Sequence, residues 1–213
     1  MQTMASLGQA KSLGGVGAIL VLIGGFVGAP GGVLAIVGLI LVLIAVKYIA
    51  DVLADQTVFN NMIIAVVLSI IGLVALIVIV LSAFYSFIGF RNFSFMPGTA
   101  PPVGFVAFVT SIIIGAVIAW VFFLIASIFL KRSYETIGTR LGIGTFHTTG
   151  LLYLIGAALS IIGIGLIIVF IAEILQIVAF FSIPEQMPMG PQPMPRQMGP
   201  PPPIMLTERP NLR

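Results

Sequence analysis

The chain has 213 residues, of which 60% are apolar, 7% are charged and none is cysteine. Soluble domains carry about 25% charged residues, so this composition excludes a water-soluble surface and predicts an integral membrane protein. The absence of cysteine excludes disulfides, thiolate metal sites and cysteine nucleophiles, and a net charge of +3 is too small to indicate nucleic-acid binding.

Four long apolar runs follow one another along the chain, and they define the predicted membrane spans. A transmembrane helix needs about 20 residues to cross the hydrocarbon layer. The second and third runs are each about one span long, and we predict spans near 61–88 and 102–130. The predicted fold class is therefore all-α, a polytopic bundle of transmembrane helices.

The first apolar run, Leu13–Val46, is too long for one span. As a single helix it would extend roughly 50 Å, and the segment Val27–Gly32 divides it with glycines and Pro30, which favour a turn. We predict a tight hairpin with spans near 13–28 and 32–49. A signal peptide cleaved before Pro30 is the alternative, and the apolar residues that continue past this point argue against it.

The fourth run, Thr149–Ile183, has the same excess length and is similar to the first. Residues 22–46 and 154–178 match without gaps at nine positions, and Gly163–Gly165 falls where the first run turns. We therefore predict a second hairpin, with spans near 149–162 and 166–183. That gives six spans in all; the alternative is five, with the last run as one long tilted helix.

Basic residues define the predicted orientation in the membrane. Arg91 falls on one side, and five residues fall on the other, namely Lys11, Lys47, Lys131, Arg132 and Arg140. Because cytoplasmic flanks carry more Lys and Arg, we expect the N-terminus to lie in the cytoplasm. With six spans the C-terminus is cytoplasmic as well.

Two cytoplasmic linkers, Lys47–Asn61 and Lys131–Gly150, share a pattern. Each begins with a base that has an acid four residues later, Asp51 in the first linker and Glu135 in the second. We expect both segments to extend their helices as amphipathic turns along the lipid headgroups; a docking surface for a partner protein is the alternative. The apolar residues at helical spacing are Ile49, Val52 and Leu53, and Tyr134, Ile137 and Leu141.

The tail, 184–213, is a separate unit from the transmembrane domain, 1–183. Ten of its residues are proline and five are methionine. Proline removes backbone donors and favours an extended chain, so we predict a disordered cytoplasmic tail. Its Pro-x-x-Pro spacings fit a docking motif for a protein partner, and a solubilising spacer is the alternative.

The sequence contains no motif for a catalytic, cofactor or metal site. His147 is the only histidine, so it builds neither a catalytic pair nor a metal site, and Thr145 before it fits the cap of the fifth helix. We expect no catalytic residue, no cofactor and no metal, and hence a protein that is not an enzyme.

Glu173 is the one charged residue within the long apolar runs, and Gln176 lies one helical turn after it. A charge at the bilayer centre costs several kcal/mol. A neutral carboxyl that hydrogen-bonds across helices is one interpretation, and a proton- or cation-carrying site is the other. Glu173 and Gln176 are therefore the candidate intramembrane polar site.

Several stretches resemble one family of archaeal multi-pass membrane proteins, catalogued only as a domain of unknown function. The stretches are Lys11–Gly25, Leu41–Asp51 and Gly144–Pro184, and the most specific pieces are "FHTTGLLYLIG" and "AFFSI". The resemblance covers about residues 5–184 and leaves out the tail. It implies an archaeal plasma membrane, and it implies no activity, substrate or catalytic residue.

Two functions follow as hypotheses. The first is a non-enzymatic scaffold or accessory subunit of a membrane complex, with the lipid bilayer around it and a protein partner on the tail or linkers, either as an oligomer or within a larger assembly. The second is a small-solute or proton-linked carrier that uses Glu173.

Overall fold

A computed structural model of the protein describes residues 7–28, 30–88 and 103–185. In these ranges the chain is helical without strands, and all six long helices are long and apolar enough to cross a membrane. The bounds are α1 Leu7–Gly24, α2 Gly31–Val52, α3 Gln56–Ile88, α4 Val103–Leu141, α5 Gly144–Leu159 and α6 Ile164–Phe181, with a short 3₁₀ turn at Ser160–Ile162. The predicted all-α polytopic fold is confirmed, and the fourth apolar run is two helices rather than one.

The first predicted hairpin is formed by α1 and α2, which pack through glycines. A Cβ atom on Gly24 would lie 2.6 Å from the Gly31 carbonyl oxygen, and one on Gly17 would lie 2.7 Å from the Gly38 carbonyl oxygen. Gly28 in the turn has a φ of +71°, which few other residues adopt. Small residues thus allow the two backbones to approach closely, as they do in many membrane helix pairs.

The second predicted hairpin, α5 with α6, is built the same way. The 3₁₀ turn ends at Gly163, whose φ is +83°, and α6 starts at the next residue. Gly165 then packs against Gly156, where a Cβ would lie 3.1 Å from the Gly165 carbonyl oxygen. The glycines of the predicted turn therefore have different tasks, since Gly163 makes the turn and Gly165 makes the helix contact.

The two hairpins are equivalent in burial as well as in direction. Gly24 and Gly31 are seven positions apart, whereas the corresponding Gly156 and Gly165 are nine positions apart. The gap-free alignment therefore stops being correct at the turn, because the second connection is two residues longer. Once this is allowed for, buried residues coincide in pairs: Gly17/Thr149, Ala18/Gly150, Gly24/Gly156, Gly31/Gly165, Gly38/Ala172, Val42/Gln176, Ala45/Ala179 and Val46/Phe180.

The six helices alternate in direction and pack as a closed ring in chain order, with α6 returning to α1. Phe26, in the turn after α1, packs against Phe170 of α6 with ring centroids 5.7 Å apart. Trp120 Nε1 in α4 donates a hydrogen bond to the Ala157 carbonyl oxygen in α5 at 2.9 Å. Of all the neighbouring pairs, α2 and α3 pack on each other least.

The fully buried core lies at one end of this ring, which also carries the five basic residues Lys11, Lys47, Lys131, Arg132 and Arg140. We call it the basic end. Its centre is an aromatic cluster in which the rings of Tyr134, Phe146 and Phe180 lie 5.3 to 6.4 Å apart in edge-to-face contacts. Edge-to-face packing stabilises such clusters beyond the area they bury.

The linker residues predicted to lie along the lipid headgroups are instead part of this core. Ile49, Tyr134 and Ile137 are fully buried, Leu141 nearly so, and Val52 and Leu53 pack against the same cluster. The two segments do extend their helices, α2 to Val52 and α4 to Leu141, but the expected position along the headgroups was wrong, because their apolar residues belong to one buried cluster within the chain. The faces are therefore occupied within the chain, which argues against the linkers as a partner-docking surface.

The charged pairs of the linkers are confirmed only in part. Lys131 Nζ lies 2.6 Å from a Glu135 carboxylate oxygen. Asp51 instead accepts a hydrogen bond from Gln56 Nε2 at 2.8 Å, across the short connection between α2 and α3. The predicted tail lies outside the described residues from position 186 on, and so does the loop 89–102.

Candidate functional site

A cavity of about 490 Å³ lies at the centre of the helix ring. Every one of the six helices contributes at least one residue to its lining. Its volume is that of a pocket for a small organic ligand. The cavity is therefore the candidate functional site.

Most of the lining is hydrocarbon, supplied by residues such as Leu39, Val42, Met62, Phe123 and Val169. Three serines also line the cavity, and each hydroxyl donates to a carbonyl of its own helix or turn. The acceptors lie at 2.9 Å for Ser69, 2.7 Å for Ser127 and 2.8 Å for Ser160. These hydroxyls are satisfied locally, so the polar character of the cavity depends on other side chains.

Glu173 and Gln176, the predicted polar pair, both line the cavity from α6. Gln176 is 8% exposed, and its Oε1 accepts a hydrogen bond from the Tyr153 hydroxyl of α5 at 2.5 Å. Glu173 is only partly buried, and no hydrogen bond or ion pair joins it to any other part of the described chain. The two residues thus differ in state: Gln176 is bonded within the protein, and Glu173 presents a carboxyl group to the cavity.

Tyr134 completes the polar part of the lining from α4. Its side chain is fully buried, and its hydroxyl has no hydrogen-bond partner among the described residues. Contacts with Phe146 and Phe180 hold the ring, so the hydroxyl cannot turn away to find a partner. A buried hydroxyl without a partner costs about 1–3 kcal/mol, and native proteins rarely leave one unexplained.

Sequence reasoning missed Tyr134 and Tyr153 as site residues. Helical spacing predicts a headgroup position for Tyr134, and nothing in the fourth apolar run distinguishes Tyr153 from its neighbours. The signal that identifies Tyr153 is the equivalence of the two hairpins: Tyr153, Glu173 and Gln176 correspond to Val21, Leu39 and Val42, and all six line the cavity. The second hairpin is polar at each cavity position where the first is apolar.

His147 lies at the basic end, away from this lining. Its Nε2 is 3.3 Å from the Thr139 hydroxyl, and its ring packs on Gly138. Thr145 does not cap α5 as predicted, because the helix begins at Gly144 and Ile143 takes the cap position without a side-chain bond. No group of three or more histidine, cysteine or acidic side chains meets in the described part of the chain.

The chain matches the family described as "Protein of unknown function (DUF996)" over residues 34–174. The protein belongs to this family. The relatives include "Uncharacterized protein MJ1644" of the archaeon Methanocaldococcus jannaschii, 36% identical over 181 residues, which are 85% of this chain and 95% of the relative. No solved structure matches the chain.

Membership of this family confirms the resemblance inferred from the sequence. The matched range starts inside α2 and ends inside α6, so it includes Tyr134, Tyr153 and Glu173 and stops just before Gln176. The family description assigns no activity, and the cavity itself is the basis for a functional argument.

Proposed function

We propose that this protein is a membrane carrier that binds a small solute in the central cavity, with Glu173 as the group that holds the polar part of the solute. The observation that carries the proposal is that the Glu173 carboxyl group, which has no hydrogen-bond or ion-pair partner within residues 7–28, 30–88 and 103–185, faces a cavity lined by all six helices. Carriers commonly hold substrate and coupling ions at such a site deep within the helix bundle.

The alternative role for Glu173 is structural, as a hydrogen-bonding contact between helices. That role requires a partner on a neighbouring helix, and Glu173 has none in the described chain. Leu39 at the equivalent position shows that the same hairpin geometry forms with an apolar residue. Both points favour a role in binding over a role in packing.

A scaffold or accessory subunit, alone or in an oligomer, is a second hypothesis. It depends on the tail 184–213, which lies almost wholly outside the described residues. Native pull-down with the full chain and with a chain ending at 183 tests it, and an identical set of associated proteins from both would remove the tail from the argument.

We further propose that the protein lies in the plasma membrane with the basic end in the cytoplasm. Lys and Arg near the ends of spans are enriched on the cytoplasmic side. Both termini of the six-helix bundle then lie in the cytoplasm, since α1 starts and α6 ends at the basic end.

Cavity binding is tested through Trp120, the one tryptophan of the chain, which bonds to Ala157 in the cavity lining. The full chain is placed in nanodiscs of zwitterionic lipid, and bromododecane is added to quench the fluorescence. Binding in the cavity gives a saturable component, whereas probe dissolved in the bilayer quenches in proportion to its mole fraction. Wild-type protein should show the saturable component.

The variant Ala126→Phe fills the cavity, because Ala126 is 3% exposed and lines it. It should lose the saturable component, with Ala126→Leu as a milder substitution of the same kind. Val74→Phe on the outer face of α3, where Val74 is 52% exposed, is the matched control and should behave as wild type. Purely proportional quenching in the wild type would refute cavity binding.

Carrier action is tested in proteoliposomes that contain a pH-sensitive dye, exposed to a panel of small organic solutes. Proton movement that requires the protein and disappears in Glu173→Gln supports a carrier that uses this carboxyl group. Equal movement in wild type and variant would remove Glu173 from the mechanism.

A further inference from the structure

We infer that the cavity takes a lipid-soluble primary amine, with its ammonium head at Glu173 and its hydrocarbon chain toward the end of the ring opposite the basic end, and that this amine enters sideways from the bilayer between α2 and α3. The inference deepens the proposed function and rests on it, because it names the class of solute that the cavity binds.

The polar groups of the cavity lie together at its basic side. Gln176 precedes Phe180 by one helical turn, and the Phe180 ring lies 6.4 Å from the Tyr134 ring, so α6 and α4 present their polar groups at one level. Tyr153 bonds to Gln176 at the same level. A ligand that complements a lining that is polar at one end and apolar at the other has a polar head and an apolar body. Toward the other end the lining includes Leu73, Phe123 and Leu166.

The chemistry of the head follows from the groups that face it. Among the described residues, Glu173 has no ion-pair partner, and the cavity lining that they form contains no Lys, Arg or His. A carboxylate in low-polarity surroundings favours a cation, and it disfavours an anionic head by like-charge repulsion. A primary ammonium has three N–H donors, one for the Glu173 carboxylate and others for acceptors of the same lining such as the Gln176 carbonyl oxygen.

Tyr134 is an independent observation that a ligand belongs here. Its hydroxyl is fully buried at the cavity and lacks a partner in the described chain, and the ring is fixed by its aromatic neighbours. The positions equivalent to Tyr153, Glu173 and Gln176 in the first hairpin are all apolar, so the fold itself does not require this polar cluster.

We place the side entrance between α2 and α3 because these two helices pack on each other least of all the neighbouring pairs in the ring. The connection between α2 and α3 and the buried residues Val58 and Met62 hold these helices together at the basic end. Farther along α3, Ile70 and Leu73 line the cavity and yet are 49% and 48% exposed. The cavity rim is thus hydrocarbon that faces the bilayer, and a lipid-soluble molecule reaches the cavity without crossing water.

The head preference is tested in the same nanodiscs with three probes that share a dodecyl chain with bromine at its far end and differ in the head: ammonium, hydroxyl or carboxylate. With the head at Glu173, the bromine lies toward Trp120, which is bonded to α5 farther from the basic end. The ammonium probe should saturate at a concentration at least about tenfold below the hydroxyl probe, as for hydrogen bonds to charged groups. The carboxylate probe should give only proportional quenching.

Glu173→Leu and Glu173→Gln should abolish the preference for the ammonium probe, so that the ammonium and hydroxyl probes saturate at the same concentration in each variant. Leucine is the residue that the first hairpin holds at the equivalent position, so the leucine variant is expected to fold; thermal melting of both variants verifies this. Ile70→Phe narrows the rim and should slow the onset of quenching by the ammonium probe in stopped-flow mixing, whereas Val74→Phe should not.

The outcomes separate the two proposals. Saturable binding of all probes at one concentration, or unchanged ammonium binding in Glu173→Leu, overturns the amine assignment and leaves the cavity as a binding site. Absence of any saturable component for every probe overturns the amine assignment together with the proposed function. Unchanged onset in Ile70→Phe overturns the side entrance alone.

Discussion

Glu173 of α6 and Leu39 of α2 occupy equivalent positions in two hairpins of the same construction, and both line the central cavity. The equivalence extends to Gln176 with Val42 and to Tyr153 with Val21. The first hairpin, α1 with α2, therefore lines the cavity with apolar side chains, and the second hairpin, α5 with α6, has polar side chains at the equivalent positions. Because the first hairpin forms with apolar residues at these positions, the polar side chains of the second hairpin are not needed for hairpin packing.

Glu173→Leu should raise the free energy of unfolding by about 1 kcal/mol in the absence of ligand, since a polar group without a partner in apolar surroundings is destabilising. Leu39→Glu, the reverse exchange at the equivalent position, should lower it by a similar amount. Unfolding in mixed detergent micelles, followed by circular dichroism, measures both. A large loss of stability in Glu173→Leu would show that the carboxyl group is structural.

Tyr134→Phe should raise the free energy of unfolding by about 1 kcal/mol, because it removes a buried hydroxyl that has no partner. Tyr153→Phe makes the same chemical change where the hydroxyl donates to Gln176, and it should lower the free energy of unfolding by about 1 kcal/mol. The same unfolding measurement compares the two variants. Equal effects of the same sign would contradict the assigned hydrogen bonding.

Gly24→Ala should destabilise the first hairpin by about 1–3 kcal/mol, since the added Cβ would lie 2.6 Å from the Gly31 carbonyl oxygen and would force the helices apart. Gly32→Ala in the same hairpin meets nothing within 4 Å and should stabilise α2 by about 0.5–1 kcal/mol through helix propensity. Thermal melting of the two variants should therefore shift in opposite directions. A neutral Gly24→Ala would refute close packing of α1 on α2.

Much of the fold follows from length and periodicity alone. Two apolar runs that are too long for one span, each with glycines near its centre, favour hairpins, because a straight apolar helix of that length would extend beyond the hydrocarbon layer. The sequence also identified Glu173 as a candidate site residue, since charged residues are rare within membrane spans and are commonly functional there. These signals are local, and so the sequence contains them directly.

The features that the sequence did not predict depend on which helix faces contact each other in the folded chain. Ile49, Ile137 and Leu141 show the same amphipathic spacing whether they face lipid headgroups or each other, and only the ring closure decides for the core. The two-residue difference between the hairpin connections is invisible to a gap-free alignment, and it determines that Leu39 rather than Leu41 corresponds to Glu173. Tyr134 belongs to the site because its ring contacts Phe180 of α6, a residue 46 positions away in the sequence.

The proposed orientation predicts which end of the bundle a membrane-impermeant thiol reagent reaches. The chain has no cysteine, so one introduced thiol is unique. Thr139→Cys at the basic end should react only after the cells are permeabilised, whereas Ile162→Cys, exposed in the turn before α6, should react in intact cells. The opposite pattern would reverse the orientation, because the positive-inside rule would then fail for this chain.

Asp55, between α2 and α3, gives a prediction for the pH dependence of stability. Its Oδ1 accepts hydrogen bonds from the Thr57 hydroxyl and from the Thr57 backbone N–H at 3.1 Å, and Arg140 lies 3.8 Å from its other oxygen. These bonds, the hydroxyl bond first, hold the pKa of Asp55 below its usual 3.8. The contribution to stability is therefore complete above the usual pKa and is lost as the pH falls through the lowered value.

Asp55→Ala should accordingly lower the melting temperature at neutral pH, and the difference from wild type should shrink as the pH is brought well below 3.8, where the wild-type carboxyl group is protonated as well. Asp51→Ala, which loses the hydrogen bond from Gln56, is the control for a nearby acid. Melting curves across this pH range measure the effect. A difference that grows on acidification would show that the protonated form of Asp55 is the one the fold prefers, contrary to the hydrogen bonds it accepts.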